Sequence, residues 1–217
     1  ILHKIVSKEQ RVHTLSALVL APTRELVQQI HASFNQFGHN AGVNIAAVFG
    51  GVSIKPQIRT LVDGVDILIA TPGRLLDLLS NDYLRLQNLS FLVFDEADRM
   101  LDLGFKAEID QIMVQVPQKR QTLLFSATFD NSMRNFSKSL LTDPQVITID
   151  DKTEVADSVE QLVYTVDADR KRELLSYLIG SKNWQQVLIF TRTKNIADEL
   201  AKEMCKDGIK AQSLHGD

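Results

Sequence analysis

Blocks of Val, Ile, Leu, Ala and Phe recur along the chain at 17–21, 45–49, 65–70, 91–94, 122–125, 146–149, 162–166 and 187–190. Several of these blocks show no polar alternation, the pattern of strands buried on both faces of a parallel sheet. Between them, apolar residues fall three and four apart. Leu26, Ile30, Phe34 and Phe37 mark one face of a helix over 25–37. Ile109, Ile112, Met113 and Val116 mark a second, and Leu174, Leu175, Leu178 and Ile179 a third. Repeated strand-then-helix units predict an α/β fold built on an open parallel sheet.

The pattern also predicts a division. Pro144 closes one helical region, and after the block at 146–149 the stretch 150–158 is polar and without period, which reads as a linker. The first portion, 1–149, opens on helix-like residues with no strand before them. The second, 159–217, offers three candidate strands, the last near 211–214, and two helices, too few for a closed α/β domain. Both portions therefore read as incomplete.

Composition narrows the partners. With 24 Lys+Arg against 27 Asp+Glu the net charge is 24 − 27 = −3, so any nucleic-acid site must be local and geometric, not a general polycation. Apolar runs fall far short of the ~20 residues that span a bilayer, and no basic-then-apolar leader opens the chain. A lone cysteine, Cys205, fits a reducing, cytoplasmic setting with no membrane partner. Cys205 reads as inert, Trp184 as packing, and His215 as a solvated loop histidine.

Ligands of open parallel sheets sit beyond the carboxyl ends of the strands. Asp95-Glu96-Ala97-Asp98 follows the block at 91–94. An Asp-Glu pair there suits Mg²⁺, which takes one or two carboxylates with waters and phosphate oxygens, the Glu orienting an attacking water. An acidic first helical turn accounts for the same residues equally well. Ser126-Ala127-Thr128 offers two hydroxyls to a neighbouring carboxylate or serves as an ordinary turn. Pro22-Thr23-Arg24-Glu25-Leu26 combines a helix cap with an arginine. Thr71-Pro72-Gly73-Arg74 repeats that design, and Gly50-Gly51 permits close approach of a backbone or ligand. Each cluster alone is commonplace; five of them after five strands predict a single functional edge.

In order, PTREL (22–26), GG (50–51), TPGR (71–74), DEAD (95–98) and SAT (126–128) resemble the motif series of DEAD-box RNA helicases. VLIFTRT (187–193) and LHGD (214–217) are similar to the first motifs of that family's second domain. GGVSIKPQI, DRMLDLGF and SKNWQQVLIFTRTK look most like the bacterial RhlE group. The resemblance implies two RecA-like parallel-sheet domains, both incomplete here, that close around ATP and RNA to unwind short duplexes. It implies Mg²⁺ held by Asp95 through water, a hydrolytic water positioned by Glu96, and coupling of hydrolysis to RNA through Asp98, Ser126 and Thr128. Thr23, Arg24, Gly51, Thr71, Gly73 and Arg74 would line the RNA backbone without reading sequence, as would Arg192, Thr193, Gly216 and Asp217 from the second domain. Ribosome-assembly or RNA-decay factors are the protein partners it suggests.

Two rivals share some of these features: another helicase or translocase of the superfamily, and a non-catalytic nucleic-acid-binding or scaffolding module. The family's Gly-Lys-Thr phosphate loop, its adenine-reading glutamine motif and its arginine fingers find no match in the chain. The chain is thus expected to be an internal fragment. An arginine finger alone is worth roughly 10³–10⁵ in rate. The 217-residue chain with RNA, Mg²⁺ and ATP should therefore hydrolyse no faster than its Glu96→Gln variant in a phosphate-release assay; robust RNA-stimulated turnover would contradict this.

Overall fold

The computed structural model describes residues 1–7, 14–38, 40–149 and 159–216; the stretch 150–158 read as a linker lies outside the described residues, as does Asp217. The chain falls into two compact units, Ile1–Thr153 and Glu154–Asp217.

Unit 1 contains β1 (Ala17–Leu20), β2 (Ile45–Val48), β3 (Ile67–Ala70), β4 (Phe91–Phe94) and β5 (Gln121–Leu124). They form one sheet in the order β2-β3-β1-β4-β5, every neighbouring pair parallel. Parallel neighbours require crossovers, supplied by helices α2 (Arg24–Gly38), α3 (Ile54–Val62), α4 (Pro72–Ser80), α5 (Ala97–Asp102) and α6 (Lys106–Gln115), while α1 (Leu2–Val6) precedes β1 and α7 (Asn131–Leu140) follows β5.

Strand alternation sorts the core into two layers. Leu18, Leu20, Leu68, Ala70, Leu92 and Phe94 face one side and pack with Leu75 and Leu78 of α4, Ile109 and Ile112 of α6, and Met133 and Phe136 of α7. Ala17, Val19, Ile67, Ile69, Phe91 and Val93 face the other and meet Ile5 of α1 and Val27 of α2. The three inner strands β3, β1 and β4 are buried along their whole length, which is why their sequence lacks alternation. The outer strands β2 and β5 are less covered.

On α2 the expected stripe is partly corrected. Leu26, Ile30 and Phe34, spaced by four, pack on the core and Val27 is fully buried, whereas Phe37 is 77% exposed. Phe37 falls in the last turn of α2, one residue before its end.

Unit 2, among its described residues, has a 3₁₀ turn at Ala168–Arg170, then α8 (Lys171–Ser181) and α9 (Lys194–Lys206). The strands expected at 162–166, 187–190 and 211–214 have no ladder, and neither does 146–149 in unit 1. A strand is stable only with a hydrogen-bonded neighbour and a covered face. None of these segments has a hydrogen-bonded neighbour strand among the described residues, and Val163, Phe190, Leu214 and Ile149 are among the most exposed apolar residues.

Leu18 lies on the central strand with no exposed surface. Leu18→Ala should lower unfolding free energy by about 2–5 kcal/mol, and Phe37→Ala should stay within about 0.5 kcal/mol of wild type. Urea denaturation of both variants checks the contrast.

Candidate functional site

Register brings the predicted clusters to one edge. Val48, Ala70, Leu20, Phe94 and Leu124 are level across the sheet, and each is the last residue of its strand. The ladder runs one step further through Thr71 N–H to Val48 O (3.1 Å), Ala21 N–H to Ala70 O (3.0 Å), Asp95 N–H to Leu20 O (2.9 Å) and Phe125 N–H to Phe94 O (2.8 Å). Everything polar follows immediately.

Asp95 leaves the end of β4 half-buried, its Oδ1 accepting the Glu96 N–H at 3.1 Å. Burial, with the neighbouring Glu96 charge adding to it, pushes the Asp95 carboxyl above its ordinary range, against the pull of that hydrogen bond. Glu96 stands in the left-handed region, φ 50° and ψ 53°, rare for a residue with a side chain. That twist turns the chain from β4 into α5 within one residue. Ala97 N–H then reaches Phe125 O at 3.0 Å, and Glu96 O accepts from Met100 N–H at 3.1 Å. The Glu96 carboxylate pairs with Arg99 at 3.2 Å, a partner the sequence reading missed although its spacing of three on a helix signals it.

Asp98 is the opposite case. Its Oδ2 accepts both the N–H and the Oγ1–H of Thr128, each at 2.9 Å, and its Oδ1 accepts the Arg99 N–H at 3.0 Å. Burial works upward on this carboxyl, but the Thr128 and Arg99 bonds outweigh it and hold the group below its ordinary range. Ser126 contributes least to that lowering, because its hydroxyl donates to Thr128 O at 2.6 Å and closes the turn.

Beside them, the ends of β1, β3 and β2, with Phe105 from the turn before α6, carry a cleft of about 380 Å³ lined by Pro22, Arg24, Gly50, Thr71, Gly73, Arg74, Asp77 and Phe105. Thr23 and Gly51 adjoin these lining residues in sequence. Thr23 caps α2, its Oγ1 accepting the Leu26 N–H at 3.2 Å. Gly51 takes φ +77° with open space where a Cβ would stand, and Gly73 has the same open space. Arg24 is exposed beside Glu25.

Arg74 lines the same cleft with most of its side chain covered. Only 11% of its side chain is exposed; Nη2 donates to Val52 O at 2.9 Å, Nε lies 3.8 Å from Asp77, and Nη1 is buried without a hydrogen-bond partner. Buried Gln57 was not foreseen. Its amide accepts from Phe49 N–H and donates to Phe49 O, both at 3.1 Å, clipping the glycine turn to α3 as a strand would. Nothing in the hydrophobic pattern marks Gln57, Asp77 or Phe105.

In unit 2, Thr193 caps α9, its Oγ1 accepting the Ile196 N–H at 3.3 Å, and Arg192 and Gly216 are exposed. His215 is not the solvated histidine expected: 21% of its side chain is exposed and Nε2 lies 3.1 Å from Asp198.

Among the described residues no three His, Cys, Asp or Glu side chains gather as a metal cage. Asp95 with Glu96 instead fits a cation that brings its own waters and phosphate oxygens, as Mg²⁺ does. No helix among the described residues is long and apolar enough to cross a membrane.

A parallel sheet with a carboxylate pair, a hydroxyl turn and an arginine-glycine cleft on one edge defines an open α/β module whose polar groups gather at the carboxyl ends of its strands. The DEAD/DEAH box helicase family model matches residues 1–136, so the chain belongs to that family. It is 41% identical over 206 residues to "ATP-dependent RNA helicase dbp2" of Neurospora crassa, covering 92% of this chain and 37% of that protein. It is 40% identical over 213 residues to "ATP-dependent RNA helicase RhlB" of Pseudomonas aeruginosa, covering 97% and 54%. A solved DEAD box protein from the hyperthermophile Methanococcus jannaschii superposes with TM-score 0.59 at 33% identity, covering 94% of this chain and 55% of that one. The chain thus spans between about two-fifths and half the length of these relatives.

The hydrogen bonds on Asp98 carry a pH dependence. Its folded pKa is depressed, so the associated stability is present above the unfolded carboxylate value and is lost as pH falls through the folded one. Thr128→Val removes the hydroxyl donor, and the Asp98 carboxyl should then titrate at higher pH. Carboxyl-carbon NMR on wild type and variant reads the shift directly.

Proposed function

We propose that this chain is part of an ATP-dependent RNA helicase that remodels or locally unwinds short RNA duplexes, coupling ATP hydrolysis to closure of two RecA-like domains on RNA. The observation that carries the reading is the single sheet edge holding both the Asp95-Glu96 pair and the Arg24–Gly73 cleft, with Asp98 tied to Thr128 between neighbouring strand ends. A nucleotide at one end and a phosphate backbone at the other would then share one rigid frame.

In this reading residues 1–149 belong to the first domain, 150–158 link, and 159–217 begin the second. Asp95 holds Mg²⁺ through water; its raised pKa reflects a half-buried carboxylate that a cation would satisfy. Mg²⁺, when bound, neutralises charge on the nucleotide phosphates. Glu96 orients the attacking water and accepts its proton, and its left-handed backbone fixes where that carboxylate stands. Asp98, Ser126 and Thr128 transmit the nucleotide state. Thr23, Arg24, Gly51, Thr71, Gly73 and Arg74 meet RNA phosphates without reading bases, Arg74 also bracing the turn through Val52 O. Arg192, Thr193, Gly216 and Asp217 meet the same strand from the second domain. The finer placement nearest the bacterial RhlE group rests on the segments GGVSIKPQI and DRMLDLGF; a cytoplasmic setting rests on the lone Cys205, and ribosome-assembly or RNA-decay factors are the partners the resemblance suggests.

In the full-length protein that carries this chain, Glu96→Gln should nearly abolish ATP hydrolysis while ATP and RNA binding persist, because the amide keeps size but accepts no proton. Asp95→Asn should weaken Mg²⁺-ATP binding as well. Nucleotide titrations and phosphate release on both variants decide it: equal nucleotide affinities would reject the division of roles.

A further inference from the structure

Unit 2 holds a cluster of side chains that the roles above leave unused. Asp198 lies in the second turn of α9, where its Oδ1 accepts from Ser213 Oγ at 2.5 Å and meets His215 Nε2 at 3.1 Å. The Ser213 and His215 bonds hold the Asp198 carboxyl below its ordinary range, so it is an ionised acceptor at neutral pH.

Exposure alternates along 211–216: Ala211, Ser213 and His215 are half-buried, while Gln212, Leu214 and Gly216 are exposed. That is the period of extended chain, and it turns Ser213 and His215 to one side together. The same side meets α9 a third time, where Cys205 Sγ donates to Ala211 O at 3.4 Å. Asp198 and Cys205 are two turns apart on one face, about 10 Å along the helix. The segment from Ala211 to His215 spans about 13 Å at strand rise. The lengths match, and the order of contacts makes the segment antiparallel to α9. His215 therefore arrives near the helix N-terminal turns, which begin at the Thr193 cap. No β-ladder includes 211–216 among the described residues, so side-chain bonds to α9 carry the attachment.

We propose that Asp198 is a positioning residue that fastens 213–216 along α9 and holds Gly216 at the Arg192–Thr193 end of that helix, joining two chain segments into one RNA-backbone contact patch. This role rests on the RNA reading of Arg192, Thr193 and Gly216. A carboxylate suits the task because one oxygen takes two donors from the same face of an extended strand. The Asp198 side chain is 43% exposed, so its effect is that of a partly screened charge-assisted bond.

The test uses the full-length protein carrying this chain and a fluorescein-labelled single-stranded U12 RNA, read by anisotropy, with hydrogen exchange followed over 211–216. Asp198→Ala should speed that exchange and weaken RNA binding by about 3–10-fold. Asp198→Asn, which keeps an acceptor oxygen, should stay within about 2-fold of wild type by the same reasoning. The slope of log affinity against log salt should be unchanged in Asp198→Ala, whereas Arg192→Ala should reduce it by about 0.7. Ser213→Ala leaves α9 intact and should give a smaller loss of the same kind, which secures the test if Asp198→Ala unfolds.

Unaltered exchange in Asp198→Ala would overturn the fastening. Faster exchange with unaltered RNA affinity would overturn its link to RNA, as would an Asn variant as impaired as the Ala variant. Wild type that binds no U12 RNA would overturn the RNA reading of unit 2 and this role with it, a result distinct from any difference between variants.

Discussion

One hydrogen-bonded register underlies the rest of unit 1. Because β2, β3, β1, β4 and β5 are all parallel and their last residues are level, five turns of unrelated sequence emerge side by side. Neighbouring strands lie about 4.8 Å apart, so four steps cover roughly 19 Å of edge. A one-residue slip of β4 would reverse Leu92 and Phe94 into the opposite core layer and draw Asp95 into the ladder. The full burial of β3, β1 and β4 therefore fixes more than stability. It fixes which side chains can meet.

Along that edge, satisfied and unsatisfied groups are segregated. Asp98 has three hydrogen bonds and a lowered pKa, the state of a carboxylate whose partners are already in the protein. Asp95, three residues earlier, is half-buried with one backbone donor and a raised pKa. Glu96 between them sits on strained backbone, and such conformations persist only where the surroundings impose them. Here the surroundings are explicit: Ala97 N–H on Phe125 O and Met100 N–H on Glu96 O leave the peptide little freedom. Asp98 thus ties the start of α5 to the turn after β5, Glu96 is paired with Arg99, and Asp95 keeps a single backbone donor.

Legibility in the sequence followed burial. Strands covered on both faces wrote themselves as apolar runs, and their ends, with every polar cluster, were placed within a residue or two. The hydroxyl cap at Thr23 was readable because capping is local chemistry, whereas the Thr193 cap on α9 was not singled out. Long-range polar contacts were not. Gln57 clips Phe49 from eight residues away and Arg74 reaches Val52 from twenty-two, and neither leaves a periodic trace. The failures at 146–149, 162–166, 187–190 and 211–214 share one cause. An apolar run states that a segment suits a sheet, not that a neighbouring strand is there to pair with it.

The cleft side of the edge depends on backbone shape more than on charge. Of its two arginines, Arg24 is exposed, while Arg74 is nine-tenths covered and committed to a carbonyl. Gly51 at φ +77° and Gly73, both with open space at the Cβ position, expose peptide groups that no larger residue would leave bare. Gln57 and Arg74 hold the glycine turn from opposite sides, through Phe49 and Val52, so the turn is rigid although it is made of glycine. A chain of net charge −3 gains little from long-range attraction to a polyanion. The features of the cleft that the structure fixes are therefore local: the glycine turn, its two side-chain braces and the helix starts beside it.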